Sequence, residues 1–278
     1  MLNESEVMRR NNVTVIESAA GPKVKTLLLA HGFGCDQNMW RFVAPALTQH
    51  FRLVLFDYVG SGRSDISAFS MQRYANLEGY AQDVLDICEA LSLTNVTLVG
   101  HSVSSMISLL AADKQPDYFE RIVMICPSPC FLNIDATYQG GFERDDLDEL
   151  LNLMDKNYMG WANYLTPLVM GTGNDNALLS ELNSSFCSTD PVIAKTFAKA
   201  TFYSDYRHIL PLVGCPVLVL QSENDALASE QVGQYVAQHI PQASYLCVPA
   251  KGHCLHMTDP DTVVESIEAF LNVACHHV

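Results

Sequence analysis

Short runs of β-branched and aliphatic residues recur along the chain at spacings that leave room for a helix between most neighbours. Val13 to Glu17, Thr26 to His31, Arg52 to Tyr58, Val96 to Gly100, Arg121 to Cys126, Pro216 to Gln221 and Tyr245 to Val248 read as strands. Leu27-Leu28-Leu29 and Val217-Leu218-Val219-Leu220 are apolar at every position, which suits strands of a parallel sheet buried on both faces. Between these runs, apolar residues return at helical period at about Met39 to Gln49, Leu77 to Leu91, Ser102 to Asp113, Glu230 to His239 and Thr258 to Val273. In Leu77 to Leu91, Tyr80, Val84, Ile87, Cys88 and Leu91 form one stripe, with Glu78, Gln82, Asp86 and Glu89 opposite. This alternation predicts an α/β fold, a mostly parallel central sheet flanked by helices.

The alternation breaks between about Phe131 and Phe202. There Asp145 to Tyr158, Trp161 to Met170, Ala177 to Phe186 and Pro191 to Phe202 follow one another at helical period with no strand between them. Gly160, Gly171-Thr172-Gly173-Asn174 and Ser188-Thr189-Asp190 separate them. The expected organisation is a core split in two, residues 1–130 and 204–278, around a helical insertion at 131–203. No internal repeat or low-complexity tract appears, and Cys275-His276-His277-Val278 is too short to interpret.

A length of 278 residues suits one domain with an insertion, and 49% hydrophobic against 17% charged residues describes an ordered globule. The formal charge of -15, with no cluster of Lys or Arg to reverse it locally, argues against nucleic acid and membrane partners. Met1 to Asn12 carries Arg9 and Arg10 but no apolar run after them, and no segment is long and apolar enough to span a bilayer. A cytoplasmic protein is expected. The nine cysteines are scattered singly, as reduced thiols are. Cys126 and Cys130 lie four apart, but no second pair at zinc spacing accompanies them, so no metal and no cofactor is expected.

The strongest local signal is Val96-Thr97-Leu98-Val99-Gly100-His101-Ser102-Val103-Ser104, a strand running into a helix through a serine. Small residues flanking such a serine permit the sharp turn that lifts its hydroxyl above the sheet. Ser104 stands where the G-x-S-x-G pattern has its last glycine, which is expected to tighten the packing of the following helix without loss of the turn. A serine there also fits a plain helix cap. The context favours a nucleophile, because an acid and then a histidine follow in the chain order this architecture uses.

Asp225, just beyond the strand Pro216 to Gln221, is the acid candidate, ahead of Glu223, because some loop is needed to turn back towards the histidine. His253, after the last strand and freed by Gly252, is the base candidate, ahead of His256, which reads as the first turn of the next helix. Asp225 would hold the tautomer of His253 and stabilise its imidazolium. His31-Gly32-Phe33-Gly34 follows a strand and suits an oxyanion loop, with the backbone N–H groups of Phe33 and Val103 as donors. Asp57 to Asp65, with Gly60 and Gly62, lacks the third glycine and the helix of a dinucleotide loop and reads as a structural turn. An apolar pocket is expected, with Phe33, His101, Phe131, Phe142, Trp161, Phe186, Phe197 and Phe202 as wall candidates. Each aromatic fits simple packing of the insertion on the core at least as well.

With these residues in view, the chain resembles the RsbQ-type bacterial α/β-hydrolases, relatives of the plant strigolactone and karrikin receptors. The resemblance rests on His31-Gly-Phe-Gly-Cys-Asp-Gln37, Phe56-Asp-Tyr-Val-Gly-Ser-Gly62, Gly79-Tyr-Ala-Gln-Asp-Val84, Gly100-His-Ser-Val103, Pro127-Ser-Pro-Cys130, Lys156-Asn-Tyr158, Phe186-Cys-Ser-Thr-Asp-Pro191 and Gly252-His-Cys254. It implies an α/β-hydrolase fold with a four-helix lid, inserted after the sixth strand, over a hydrophobic cavity. It also implies a Ser102, Asp225, His253 triad hydrolysing a small hydrophobic ester or lactone. The coupling it implies is to signalling in a stress response, through a PAS-domain protein phosphatase of the RsbP type and a sigma factor.

Two functions compete at this point. One is a hydrolase working through an acyl-Ser102 intermediate. The other is a ligand sensor or adaptor whose occupied pocket activates the phosphatase with little turnover. Carbon–carbon bond hydrolases share the triad and stay open. A dehalogenase would need an acid at position 102, and a dienelactone hydrolase a cysteine.

Overall fold

The computed structural model describes residues 3–272. Its seven-stranded sheet runs β1-β3-β2-β4-β5-β8-β9, where β1 is Thr14–Ile16, β2 Thr26–Ala30, β3 Arg52–Leu55, β4 Val96–His101, β5 Phe119–Ile125, β8 Val217–Asn224 and β9 Ala243–Lys251. Only β1 pairs antiparallel, at one edge; the other neighbours are parallel. Every residue of β4 is buried, as are the first six of β8, whose Val217 to Leu220 run is apolar at every position.

Alternate residues of each strand feed separate cores. Leu28, Val54, Leu98, Ile122 and Val219 pack under α3 (Leu77–Ala90), α4 (Val103–Lys114) and α9 (Glu230–His239). Leu27, Leu29, Leu53, Val123 and Leu220 pack on the opposite face under α2 (Ala44–Leu47) and α11 (Pro260–Phe270). Each leucine taken fully out of water here contributes about 2 kcal/mol.

Between β5 and β8 lie the hairpin β6 (Asn133–Asp135) and β7 (Tyr138–Gln139) and four helices: α5 (Arg144–Lys156), α6 (Tyr158–Met170), α7 (Asn176–Ser188) and α8 (Pro191–Phe202). They enclose a third core of Leu147, Leu151, Trp161, Leu165, Phe186 and Phe202, closed from below by Phe131, Leu227, Cys254 and Met257. The insertion therefore follows the fifth strand of the sheet, not the sixth. Among the described residues a helix, α1 (Glu4–Arg10), precedes the first strand.

Other differences have local causes. The expected helix over Met39 to Gln49 is a 3₁₀ turn, Gln37–Phe42, followed by α2, because Pro45 has no N–H to continue a helical ladder. β3 stops at Leu55, since the Asp57 N–H turns to Asn11 O (2.8 Å) and the Tyr58 N–H to His31 Nε2 (3.1 Å). α5 ends before Tyr158 because Asn157, in an extended conformation, caps α6 through the Gly160 N–H. Pro260 divides the final helix into α10 (Leu255–Thr258) and α11; its expected end, Val273, and the Cys275 to Val278 tail lie outside the described residues. Asp57 to Asp65 is a structural turn: the Asp57 carboxylate accepts from the N–H groups of Gln37 and Arg63, leaving no room for a side chain at Gly62.

Candidate active site

Ser102 sits at the point where β4 becomes α4, with φ 56° and ψ −121°. A non-glycine residue in this region carries backbone strain of about 1–3 kcal/mol, which the packed strand and helix on either side must hold. Gly100 makes the turn feasible, because a Cβ there would lie 2.5 Å from the Ser104 carbonyl oxygen. The departure from the usual motif at Ser104 has a function in the turn. Its hydroxyl donates to the His31 carbonyl and meets the Tyr58 hydroxyl at 2.8 Å, so it ties the elbow to the glycine loop beside it.

Asp225 follows β8 directly, and its Oδ1 accepts the backbone N–H groups of Leu227 (2.8 Å) and Ala228 (3.1 Å). That turn aims Oδ2 at His253, whose Nδ1–H donates to it at 2.6 Å. The other ring nitrogen, Nε2, accepts from the Ser102 hydroxyl, also at 2.6 Å. Residues from three separate strand ends thus meet in one hydrogen-bonded chain. All three are buried, which shields these bonds from bulk water. With Nδ1–H given to the carboxylate, Nε2 is left as an acceptor, the arrangement that is chemically able to take a proton from the serine.

The backbone of His253 is held as firmly as its ring. Its N–H donates to Val169 O at the end of α6 (2.7 Å), and its carbonyl accepts from His101 Nε2–H (2.8 Å). Gly252, at φ 94°, passes so close to Met170 O that a Cβ would lie 2.0 Å from it. The rejected candidates are elsewhere: the Glu223 side chain is exposed, and His256 is fully buried between the rings of Trp40 and His101. Neither ring nitrogen of His256 has a hydrogen-bond partner among the described residues, and burial lowers its pKa to about 3. Burial, aided by the neighbouring histidines, likewise holds His101 neutral.

His31 anchors the glycine loop: its Nδ1–H donates to Gly32 O, while Nε2 accepts the Tyr58 N–H. Gly32 lets the loop lie against the His101 ring, and Gly34, at φ 71°, lets it lie against Phe186. Among the described residues, the backbone N–H groups of Phe33 and Val103 have no acceptor in the protein. The Cys126 sulfur, an Asp225 oxygen and a His253 nitrogen lie within 4.8 Å of one another. The carboxylate and the imidazole are already joined there, and burial holds the thiol protonated, so the donor set suits a metal poorly.

A cavity of about 20 Å³ lies over Ser102 and His253. Of the expected wall residues, Phe33, His101, Phe131, Phe186 and Phe202 line it. Three do not. Trp161 stands behind Phe33 and Phe186, and Phe197 stacks on Tyr80 in the main core at 4.1 Å between centroids. Phe142 faces a separate outer groove. Cys35, Leu165, Val169, Thr201 and Leu227 complete the lining and were not anticipated. Trp161, Leu165 and Val169 recur every fourth residue along α6, a spacing that points two of the missed residues to one face.

The family model described as alpha/beta hydrolase fold matches residues 25–260. A probable esterase of Oryza sativa subsp. japonica is 39% identical over 239 residues, 86% of this chain and 88% of the relative. A karrikin insensitive 2 receptor of Petunia hybrida is 37% identical over 256 residues, covering 90% and 94% of the two chains. Among solved structures, a hydrolase from Oleispira antarctica superposes with a TM-score of 0.95 at 54% identity, over 98% of both chains.

Proposed function

The chain belongs to the alpha/beta hydrolase family, and from that membership we propose that it hydrolyses a small hydrophobic ester or lactone through an acyl-Ser102 intermediate. The observation that carries the proposal is the chain Ser102 Oγ, His253 Nε2, His253 Nδ1, Asp225 Oδ2, with 2.6 Å at each hydrogen bond. Ser102 Oγ attacks the ester carbonyl as its proton passes to His253 Nε2, and the new imidazolium is stabilised by Asp225. The oxyanion takes the free N–H groups of Phe33 and Val103 as donors. His253 returns the proton to the leaving alcohol, and water then repeats the sequence on the acyl-enzyme to release the acid. The test is turnover of p-nitrophenyl acetate and butyrate. Ser102→Ala is expected to lose about 10⁴-fold or more in kcat, and intact mass of the wild type quenched in turnover should show the acyl adduct. Ordinary turnover by the variant removes Ser102 from the mechanism.

A second reading, a ligand sensor, is favoured by the direct bond from the His253 backbone to helix α6, which ties the inserted helices to the site. The receptor named among the relatives supports it too. In that reading the output is a partner protein, of the RsbP-like PAS-domain phosphatase kind, in a sigma-factor stress response. It predicts fewer than about one turnover per minute and a ligand-dependent change in thermal stability. Rapid turnover with no ligand-dependent partner in a pull-down counts against it.

A further inference from the structure

The lining of the cavity holds one hydroxyl that the mechanism does not use. Thr201, on the last turn of α8, is 2% exposed and faces the space above Ser102. A threonine inside a helix ordinarily returns its hydroxyl to the carbonyl four residues back. Thr196 on the same helix does so, donating to Val192 O at 2.8 Å, and Thr166 on α6 does so to Ala162 O at 2.8 Å. Thr201 does not: its Oγ1 has no hydrogen-bond partner among the described residues.

Of the other polar groups around the cavity, His101 Nδ1 also lacks a partner but is packed against Gly32, and the rest are engaged or weak. Ser102 and His253 are bonded to each other, and His101 gives its Nε2–H to the His253 carbonyl while its Nδ1 faces Gly32. The Cys35 thiol is a weak donor. A buried hydroxyl left without a partner, on a residue that lines an otherwise apolar chamber, is a group that a ligand's polar atom can satisfy.

Resting on the ester-hydrolase reading, we propose that Thr201 is a specificity-determining residue, and that the substrate carries a second oxygen besides the scissile carboxyl group. A hydroxyl, ether or further carbonyl oxygen meets this requirement, because the threonine hydroxyl donates one hydrogen bond and accepts others. A plain hydrocarbon ester would fill the same space and leave Thr201 unpaired, which is the situation in which polar sites discriminate most strongly.

The experiment compares p-nitrophenyl methoxyacetate with p-nitrophenyl butyrate, two acyl groups of equal chain length that differ by an ether oxygen. The kcat/KM ratio of the pair in the wild type, divided by the same ratio in Thr201→Val, cancels their intrinsic reactivities. A fall in selectivity of about tenfold is expected for the valine variant, with selectivity kept by Thr201→Ser. If valine fails to fold, Thr201→Ala supplies the same contrast. Parallel losses on both esters, or an unchanged ratio, overturn the proposal. Absence of turnover by the wild type defeats the hydrolase reading instead. Thr201 is then judged by thermal stabilisation with methyl methoxyacetate against methyl butyrate, where loss of the preference in the valine variant supports it and lack of any preference overturns it.

Discussion

Asp225 has no oxygen to spare: Oδ1 takes two backbone N–H groups and Oδ2 takes the His253 ring. Asp225→Asn keeps the shape but puts an amide N–H opposite His253 Nδ1, which drives the imidazole to the tautomer that cannot accept from Ser102. A fall in kcat of about 10⁴-fold with little change in KM is expected; a loss under tenfold would show that Asp225 does not set the tautomer. His256 makes the opposite kind of prediction, about stability. Its pKa falls from 6.5 to about 3 on folding because burial disfavours its charged form. The unfolded chain therefore binds a proton that the folded chain refuses. This contribution to stability is complete above pH 6.5 and is lost as the pH falls towards 3, at about 1.4 kcal/mol per unit. His256→Phe should flatten the dependence of unfolding free energy on pH by one proton between pH 6 and 4, measured by urea denaturation. An unchanged slope would mean that His256 is protonated in the native state. At this scale the meeting of Ser102, His253 and Asp225 was legible, because chain order and strand ends constrain them. Thr201 was not, since nothing in a helical sequence tells which way one hydroxyl rotates.

Among the elements, α6 connects the lid to the site. Its last turn accepts the His253 N–H through Val169, and the Asn174 amide just beyond it donates to both Met170 O and Lys251 O. The same helix separates the small inner cavity from an outer groove of about 580 Å³, since Leu165 of α6 and Leu227 beside Asp225 line both. The inner space holds little more than one water, so any larger ligand needs the lining to move, and these two leucines are the side chains it shares with the outer groove. Leu165→Ala should join the two spaces and raise kcat/KM for p-nitrophenyl octanoate relative to acetate by about tenfold. It should cost about 2–4 kcal/mol of stability for the lost packing. An unchanged preference for acyl length would place the route elsewhere. The helices of the insertion were legible from their period, whereas the β6-β7 hairpin was not, because its strands are too short to alternate. α1 escaped for a related reason. Its apolar face is little more than Val7, and what fastens it to α3 is the ion pairing of Arg10 with Asp83 and Asp86, which joins segments far apart in the chain.

For the molecule as a whole, the charge of -15 becomes specific once the fold shows where acidic groups stand. Asp146 and Glu149 of α5 form an acidic rim in the outer groove, whose lining includes Leu165, and the inner cavity that shares Leu165 is lined mostly by apolar side chains. On the proposed ester-hydrolase reading, a neutral ester would pass this rim without electrostatic cost, while the carboxylate formed from it would be repelled outward by the same field. The arrangement thus opposes product rebinding and disfavours substrates that are already anionic. For p-nitrophenyl hydrogen succinate, kcat/KM should rise about threefold or more as ionic strength goes from 0.01 to 0.3 M, because the Debye length shortens from about 30 Å to under 8 Å. For p-nitrophenyl butyrate it should stay level. Replacing both rim acids, Asp146→Asn with Glu149→Gln, should remove most of the difference. If the two esters respond to salt alike, the acidic rim has no part in selecting what reaches Ser102.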